Sequence, residues 1–177
     1  MGQNWSMDIP GPFPESQEGH KYLLTLIDTT SGFPEALPLK RITGTEVRRA
    51  ILDTGYRFGF AQTYRCDNGT QFRDVLTQAL IEAIGAELQF TAIYHPQGNS
   101  KIERMHQDLS RIIAKNAQNG NDWTEQVQKA LFGMRAAIAV NKEIKVSPFE
   151  KMFHREPRVP KLFPGNFPPE NIQRERA

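Results

Sequence analysis

Cysteine is nearly absent from this chain: Cys66 stands alone among 177 residues. That excludes an intramolecular disulfide framework and any multi-cysteine zinc finger. Long apolar runs are missing too, and none approaches the roughly 20 residues that cross a bilayer as a helix. The start, Met1 to Pro10, is mixed and polar, without the apolar centre of a secretory signal. Charge of one sign is not in excess, since 22 basic residues stand against 20 acidic ones. With 38% hydrophobic and 24% charged residues, wholesale disorder is excluded as well. The length suits one domain, or one domain and a tail, large enough to bury a core without metal or disulfide staples.

The charge is unevenly spread. Residues 1–98 carry 8 basic against 11 acidic side chains, a net of −3, and residues 99–161 carry 12 against 7, a net of +5. An acidic part joined to a basic part fits a cation site beside a polyanion-binding surface, although the asymmetry alone does not outweigh chance.

Tyr22 and the run Leu23-Leu24-Thr25-Leu26-Ile27 predict a buried strand. Trp5 to Ile9 predicts an adjoining strand stopped by Pro10-Gly11-Pro12, with Pro14 to Gly19 as the hairpin loop. Glu35 to Leu39 alternates like an edge strand, the place where Pro38 is tolerated. The period then changes. Thr43 or Thr45 caps a helix ending between Gly55 and Gly59, and Thr63 to Cys66 is a short strand. A helix follows from Phe72 to Gly85, then a strand over Leu88 to Phe90. Ile102, Met105, Leu109, Ile112 and Ile113 mark a long helix to about Asn116. Trp123, Val127, Leu131 and Met134 mark the next, and Pro148 opens a short last one. Residues 1–157 then form one α/β unit, and 158–177 form a loosely packed tail rich in proline and charge. A meander followed by alternating helices and strands predicts a mixed sheet with helices on both faces, the later strands parallel to the first.

Three acids end up at suggestive places. Asp8 ends the first strand, Asp67 follows the fourth and precedes Asn68-Gly69, and Glu103 lies in the first turns of the long helix. Singly, each has an ordinary reading as a turn residue or a solvated helix residue. Converged, three carboxylates repel unless hard divalent cations bind them, and Mg²⁺ prefers such oxygen ligands. Two ions roughly 3.5–4 Å apart stabilise both the attacking and the leaving oxygen at a phosphorus. Asp28 also ends an apolar strand before a turn, and by position alone it rivals Asp8.

The blocks Trp5-Ser6-Met7-Asp8, Cys66-Asp67-Asn68-Gly69-Thr70-Gln71-Phe72 and His95-Pro96-Gln97-Gly98-Asn99-Ser100-Lys101-Ile102-Glu103-Arg104 resemble the signatures of one family. It is the catalytic core of retroviral and long-terminal-repeat retrotransposon integrases. Between Asp67 and Glu103 lie 35 residues, the spacing for which that family's acidic motif is named. The segment Ser147 to Phe153 resembles the one that closes the core, so the likeness runs from Trp5 to Pro157. The resemblance implies a ribonuclease H-like fold, a five-stranded sheet flanked by helices. It implies Asp8, Asp67 and Glu103 as catalytic ligands of two Mg²⁺ or Mn²⁺ ions, with Asp8 bridging them. It selects Asp8 over Asp28, because the family's first acid follows Trp-x-x on the first strand, and leaves Asp28 a turn or capping role.

The implied activity is polynucleotidyl transfer, with 3′-end processing and strand transfer of mobile-element DNA into target DNA. The implied place of work is the host nucleus, reached through a nucleoprotein particle. The implied assembly is a homodimer or larger. Full-length relatives add a zinc-binding N-terminal domain and an SH3-like C-terminal domain. One cysteine and a short tail supply neither, so the chain resembles an isolated core and Met1 a fragment boundary.

On the long helix, Glu103, Gln107, Ser110 and Ala114 share one strip, and Arg104, Arg111 and Lys115 share another. The cations suit phosphates; a solvated basic face is the equal alternative for Arg111 and Lys115. His106 and Gln107 border Glu103 and are candidates for touching DNA near the reacting end. His95 and His106 lack zinc-ligand spacing. Thr91 to Asn99 predicts a polar loop, with Gly98 as a hinge, that orders on a DNA end. There Tyr94, His95, Pro96, Gln97 and Asn99 are candidate DNA contacts. Met1-Gly2 with Ser6 fits a myristoylation pattern and Asn68-Gly69-Thr70 a glycosylation sequon, and neither modification is expected. Two rivals remain: an idle, domesticated integrase-like scaffold, disfavoured by the presence of all three acids, and a nuclease for RNA–DNA hybrids, disfavoured by the 35-residue interval.

Overall fold

A computed structural model of the chain describes residues 2–66, 73–90, 96–119, 122–137 and 146–159, with only the backbone of Leu76 and of residues 96–101. The chain order is β1 (Asn4–Asp8), β2 (Tyr22–Asp28), β3 (Pro34–Leu39), α1 (Gly44–Phe58), β4 (Thr63–Cys66), α2 (Val75–Ala83), β5 (Glu87–Phe90), α3 (Pro96–Gln118), α4 (Trp123–Ala136) and α5 (Pro148–Phe153). The strands form one sheet in the order β3-β2-β1-β4-β5. β1 to β3 pair antiparallel as a meander. β4 runs parallel to β1, and β5 parallel to β4, as the intervening helices require. Pro38 lies on β3, an edge strand, where its missing N–H breaks no ladder bond.

Successive side chains on a strand point to opposite faces, and this sheet has a core on each. On one face Trp5, Met7, Leu24, Leu26 and Leu39 are buried with Val47, Ala50 and Ile51 of α1 and Ile81 of α2. Leu23 and Ala36 belong to the other face, with Met105, Leu109 and Ile113 of α3 and Trp123, Val127 and Leu131 of α4. That alternation decides where the acid on β1 goes. Trp5 and Met7 face α1, so Asp8 faces α3. Its register partner Thr25 lies between Leu24 and Leu26 and faces the same way.

Thr43, not Thr45, caps α1, its Oγ1 accepting from the Glu46 N–H. Glu46 in turn accepts from the N–H groups of Lys40 and Arg41, an extended version of the capping box. α2 begins at Val75, later than the predicted Phe72, and Phe72 itself lies outside the described residues. The larger correction concerns α3. It begins at Pro96, so Pro96, Gln97, Gly98 and Asn99 form its first turn and not a hinged loop. Proline at the first helical position is preset in φ, and the N–H it lacks would have had no intrahelical partner. Tyr94 and His95 lie outside the described residues, as do Asp67 and the tail from residue 160.

Candidate active site

Asp8 is the last residue of β1, two residues before Pro10. Its Oδ1 accepts from the N–H of Ile9 at 2.7 Å, and its side chain is 38% exposed. Beside it on β2, fully buried Thr25 donates its hydroxyl proton to the Asp8 carbonyl oxygen at 2.9 Å. From above, α3 lowers His106 between the two strands. The ring places Nε2 2.8 Å from Thr25 Oγ1 and Nδ1 3.5 Å from Asp8 Oδ2.

Glu103 lies three residues earlier on α3, on the same side of the helix and exposed. Burial holds the His106 imidazole below its ordinary pKa, and the Asp8 and then the Glu103 carboxylate work against it. Two acids 95 residues apart are thus within electrostatic reach of one ring. Asp67 lies outside the described residues, directly after Cys66 at the end of β4, the strand that runs parallel beside β1.

The donors suit a hard cation. Both described acids have side chains that reach solvent and carry carboxylate oxygens, the ligand type Mg²⁺ and Mn²⁺ take. Among the described residues no group of three or more His, Cys, Asp or Glu could hold a metal. Asp67 lies outside that set.

Asp28 is placed quite differently. It is fully buried, and its carboxylate accepts from the N–H of Gly2, the N–H of Ser31 and the Ser31 hydroxyl. Those bonds close the β2–β3 turn and tie down the start of the chain, which is the turn role expected of it.

Of the candidate DNA contacts, Arg104, Gln107, Arg111 and Lys115 are exposed along α3. Arg111 is 77% exposed and lies 3.5 Å from Asp108 one turn back. Pro96, Gln97 and Asn99 lie in the first turn of the same helix. His106 is the exception, turned inward, with its side chain only 16% exposed. Thr25 was not singled out from sequence. Its signal was available: one hydroxyl inside an otherwise apolar strand, two residues along from Leu23.

The family described as Integrase core domain matches residues 1–96. The chain is 36% identical over 160 residues to the Gag-Pol polyprotein of Avian reticuloendotheliosis virus, covering 89% of this chain and 14% of that protein. It is 31% identical over 137 residues to the Pol polyprotein of Radiation murine leukemia virus (strain Kaplan), covering 76% and 23%. The chain therefore spans less than a quarter of these curated relatives. Among solved structures, the catalytic core domain of BIV integrase superposes with a TM-score of 0.69 at 21% identity, over 87% of this chain and 95% of that one. A chain of the simian T-cell lymphotropic virus intasome in complex with PP2A regulatory subunit B56 gamma gives 0.72 at 21%, over 90% and 56%. These two establish the ribonuclease H-like fold. The family match and the polyprotein relatives carry the rest: this chain belongs to the retroviral integrase core-domain family.

Proposed function

We propose that this chain performs metal-dependent polynucleotidyl transfer on DNA, trimming a mobile-element end and joining it to target DNA. The observation that carries this reading is the placement of Asp8 at the end of β1 beneath α3, the helix that bears Glu103, with His106 of that helix 3.5 Å from Asp8. In the first step a water oxygen bonds to the end phosphorus and the bond from phosphorus to the 3′ oxygen breaks, leaving a 3′-hydroxyl. In the second that hydroxyl bonds to a target phosphorus and the target's own 3′ oxygen leaves. The first step consumes one phosphodiester and one water, and the second forms one phosphodiester for the one it breaks, so no co-reactant besides water is required.

Asp8, Asp67 and Glu103 would hold Mg²⁺ or Mn²⁺, two ions per site, which supply charge neutralisation at phosphorus and activation of the attacking oxygen. The protein's own part is positioning. β1 and α3 fix two carboxylates on rigid elements, and catalysis of this kind depends on such placement. Arg104, Arg111 and Lys115 would meet phosphates, while Tyr94, His95, Pro96, Gln97, Asn99 and Gln107 would meet the DNA end. An assembly of two or more copies working in the host nucleus follows from the same reading.

The test is nicking and strand joining of an end-mimicking duplex with Mn²⁺. Asp8→Asn, Asp67→Asn and Glu103→Gln should each abolish both activities, while Asp28→Asn should keep most activity at some cost in stability. Near wild-type activity in any of the first three would remove that acid from the site. A wild-type chain that binds DNA but never nicks it would favour the idle scaffold.

A further inference from the structure

We infer that His106 is a positioning residue that ties the helix carrying Glu103 to the strand carrying Asp8, with Thr25 as its anchor on the neighbouring strand. The inference rests on Asp8 and Glu103 being the metal-binding acids proposed above.

The geometry has three parts. Asp8 and Thr25 are register partners on adjacent strands, and both point to the face that α3 covers. The Thr25 hydroxyl lies 2.9 Å from the Asp8 carbonyl oxygen and 2.8 Å from His106 Nε2, so one buried hydroxyl joins both strands to the helix. The other end of the ring, Nδ1, faces Asp8 Oδ2 at 3.5 Å, while Asp8 Oδ1 is held by Ile9 N–H at 2.7 Å. Both oxygens of the carboxylate are thereby flanked by the protein, which restricts its plane.

The Thr25 hydroxyl gives its one proton to the Asp8 carbonyl oxygen, so Thr25 Oγ1 is left to accept from His106 Nε2–H, and that bond holds the ring on the strand pair. A carboxylate–imidazole–hydroxyl chain of this order resembles a nucleophilic triad, but Thr25 has no solvent exposure. A hydroxyl sealed from substrate can orient the ring and cannot attack, so the chain serves placement.

The consequence reaches Glu103. Three residues separate it from His106 on one helix, so the rotation of α3 that seats the ring also sets the direction of Glu103. Partners of this kind, one contact removed from the metal, typically alter metal affinity about 10–100-fold when removed. The ordinary core-histidine role would affect folding stability instead, and the DNA-contact role would affect DNA affinity.

Direct Mn²⁺ titration of the chain by electron paramagnetic resonance separates these. His106→Leu should weaken Mn²⁺ binding about 10–100-fold, and raise the Mn²⁺ needed for half-maximal nicking more than it lowers the maximal rate. Thr25→Val, which keeps the volume, should weaken Mn²⁺ in the same direction, and it carries the test alone if His106→Leu does not fold. His106→Gln, which can reach the Thr25 hydroxyl, should recover part of the loss. Unchanged Mn²⁺ affinity in both His106→Leu and Thr25→Val overturns the inference. So does a loss of DNA-end binding in His106→Leu with Mn²⁺ affinity intact. Asp8→Asn, run alongside, reports on the underlying reading: Mn²⁺ binding that survives it removes Asp8 as a ligand whatever His106 does.

Discussion

Glu35 illustrates at residue scale how much a single buried carboxylate can organise. It is 1% exposed on the edge strand β3, yet each oxygen is engaged. Oε1 meets Arg135 Nη2 at 2.9 Å and accepts from the Ala36 N–H, and Oε2 meets Arg57 Nη1 at 2.9 Å. Arg135 also donates to the Pro34 carbonyl and lies over the Phe33 ring. Burial holds the Arg135 guanidinium below its ordinary pKa, and Glu35 works against that. The cluster pins the last turns of α1 and α4 to β3. Glu35 and Arg57 should differ sharply on mutation. Glu35→Ala leaves Arg135 buried without its counter-charge and should cost about 3–5 kcal/mol. Arg57→Ala removes a partner that is 41% exposed, and solvent screening should keep that loss to about 0–1 kcal/mol. Urea unfolding of both variants checks this, and equal small losses would mean that the cluster adds little to stability.

Helix ends decide how the elements of the α3/α4 layer are oriented. Asp122 caps α4, its Oδ1 accepting from both the N–H and the hydroxyl of Thr124. One residue on, Trp123 donates its indole N–H to the Pro14 carbonyl at 2.7 Å, which moors the β1–β2 loop to the start of this helix. Asp122→Ala should destabilise the protein by about 1 kcal/mol at neutral pH, and Asp122→Asn by much less. The Thr124 N–H, first among its causes, holds the Asp122 carboxyl below its ordinary value of 3.8. A depressed acid adds stability above its unfolded pKa and loses it as pH falls through the folded one. The gap between wild type and Asp122→Ala should therefore persist at pH 7 and close as pH drops below 3.8. Thermal unfolding across that range is the measurement, and a gap independent of pH would mean that ionisation does not contribute to the cap.

At the scale of the whole molecule, the exposed cations of α3 lie on the helix that carries Glu103, so the acidic site and a basic surface adjoin. DNA bound there should be held largely through phosphates, weakly and with little sequence preference. Reversing Arg111 and Lys115 together should lower affinity for a DNA duplex and flatten the plot of log affinity against log salt by about 2 or more. Fluorescence anisotropy at several salt concentrations gives the slope. An unchanged slope would leave these side chains as a solvated face, with Asp108 beside Arg111.

The sequence by itself determined the order of the elements, the meander, the parallel later strands and the edge position of Pro38. These follow from local signals: period, turn residues and the length of each crossover. It also determined which acids to examine, because Asp8 ends a strand and Glu103 lies on the long helix whatever the packing. It did not decide the start of α3, where Pro96 and Gly98 suggest a loop as readily as a first turn. Only the tertiary structure settled partners that lie far apart in sequence. Asp28 and Asp8 end neighbouring strands in much the same way, but register sends one into a turn with Ser31 and the other toward α3. His106 resembled a DNA contact as long as only its helical neighbours were known. Thr25, 81 residues earlier, turns it inward. Glu35 on an alternating strand reads as an exposed charge until Arg57 and Arg135 arrive from two helices. In each case the deciding quantity is which face a side chain takes and what a distant element presents to it, and local periodicity carries no information on that second term.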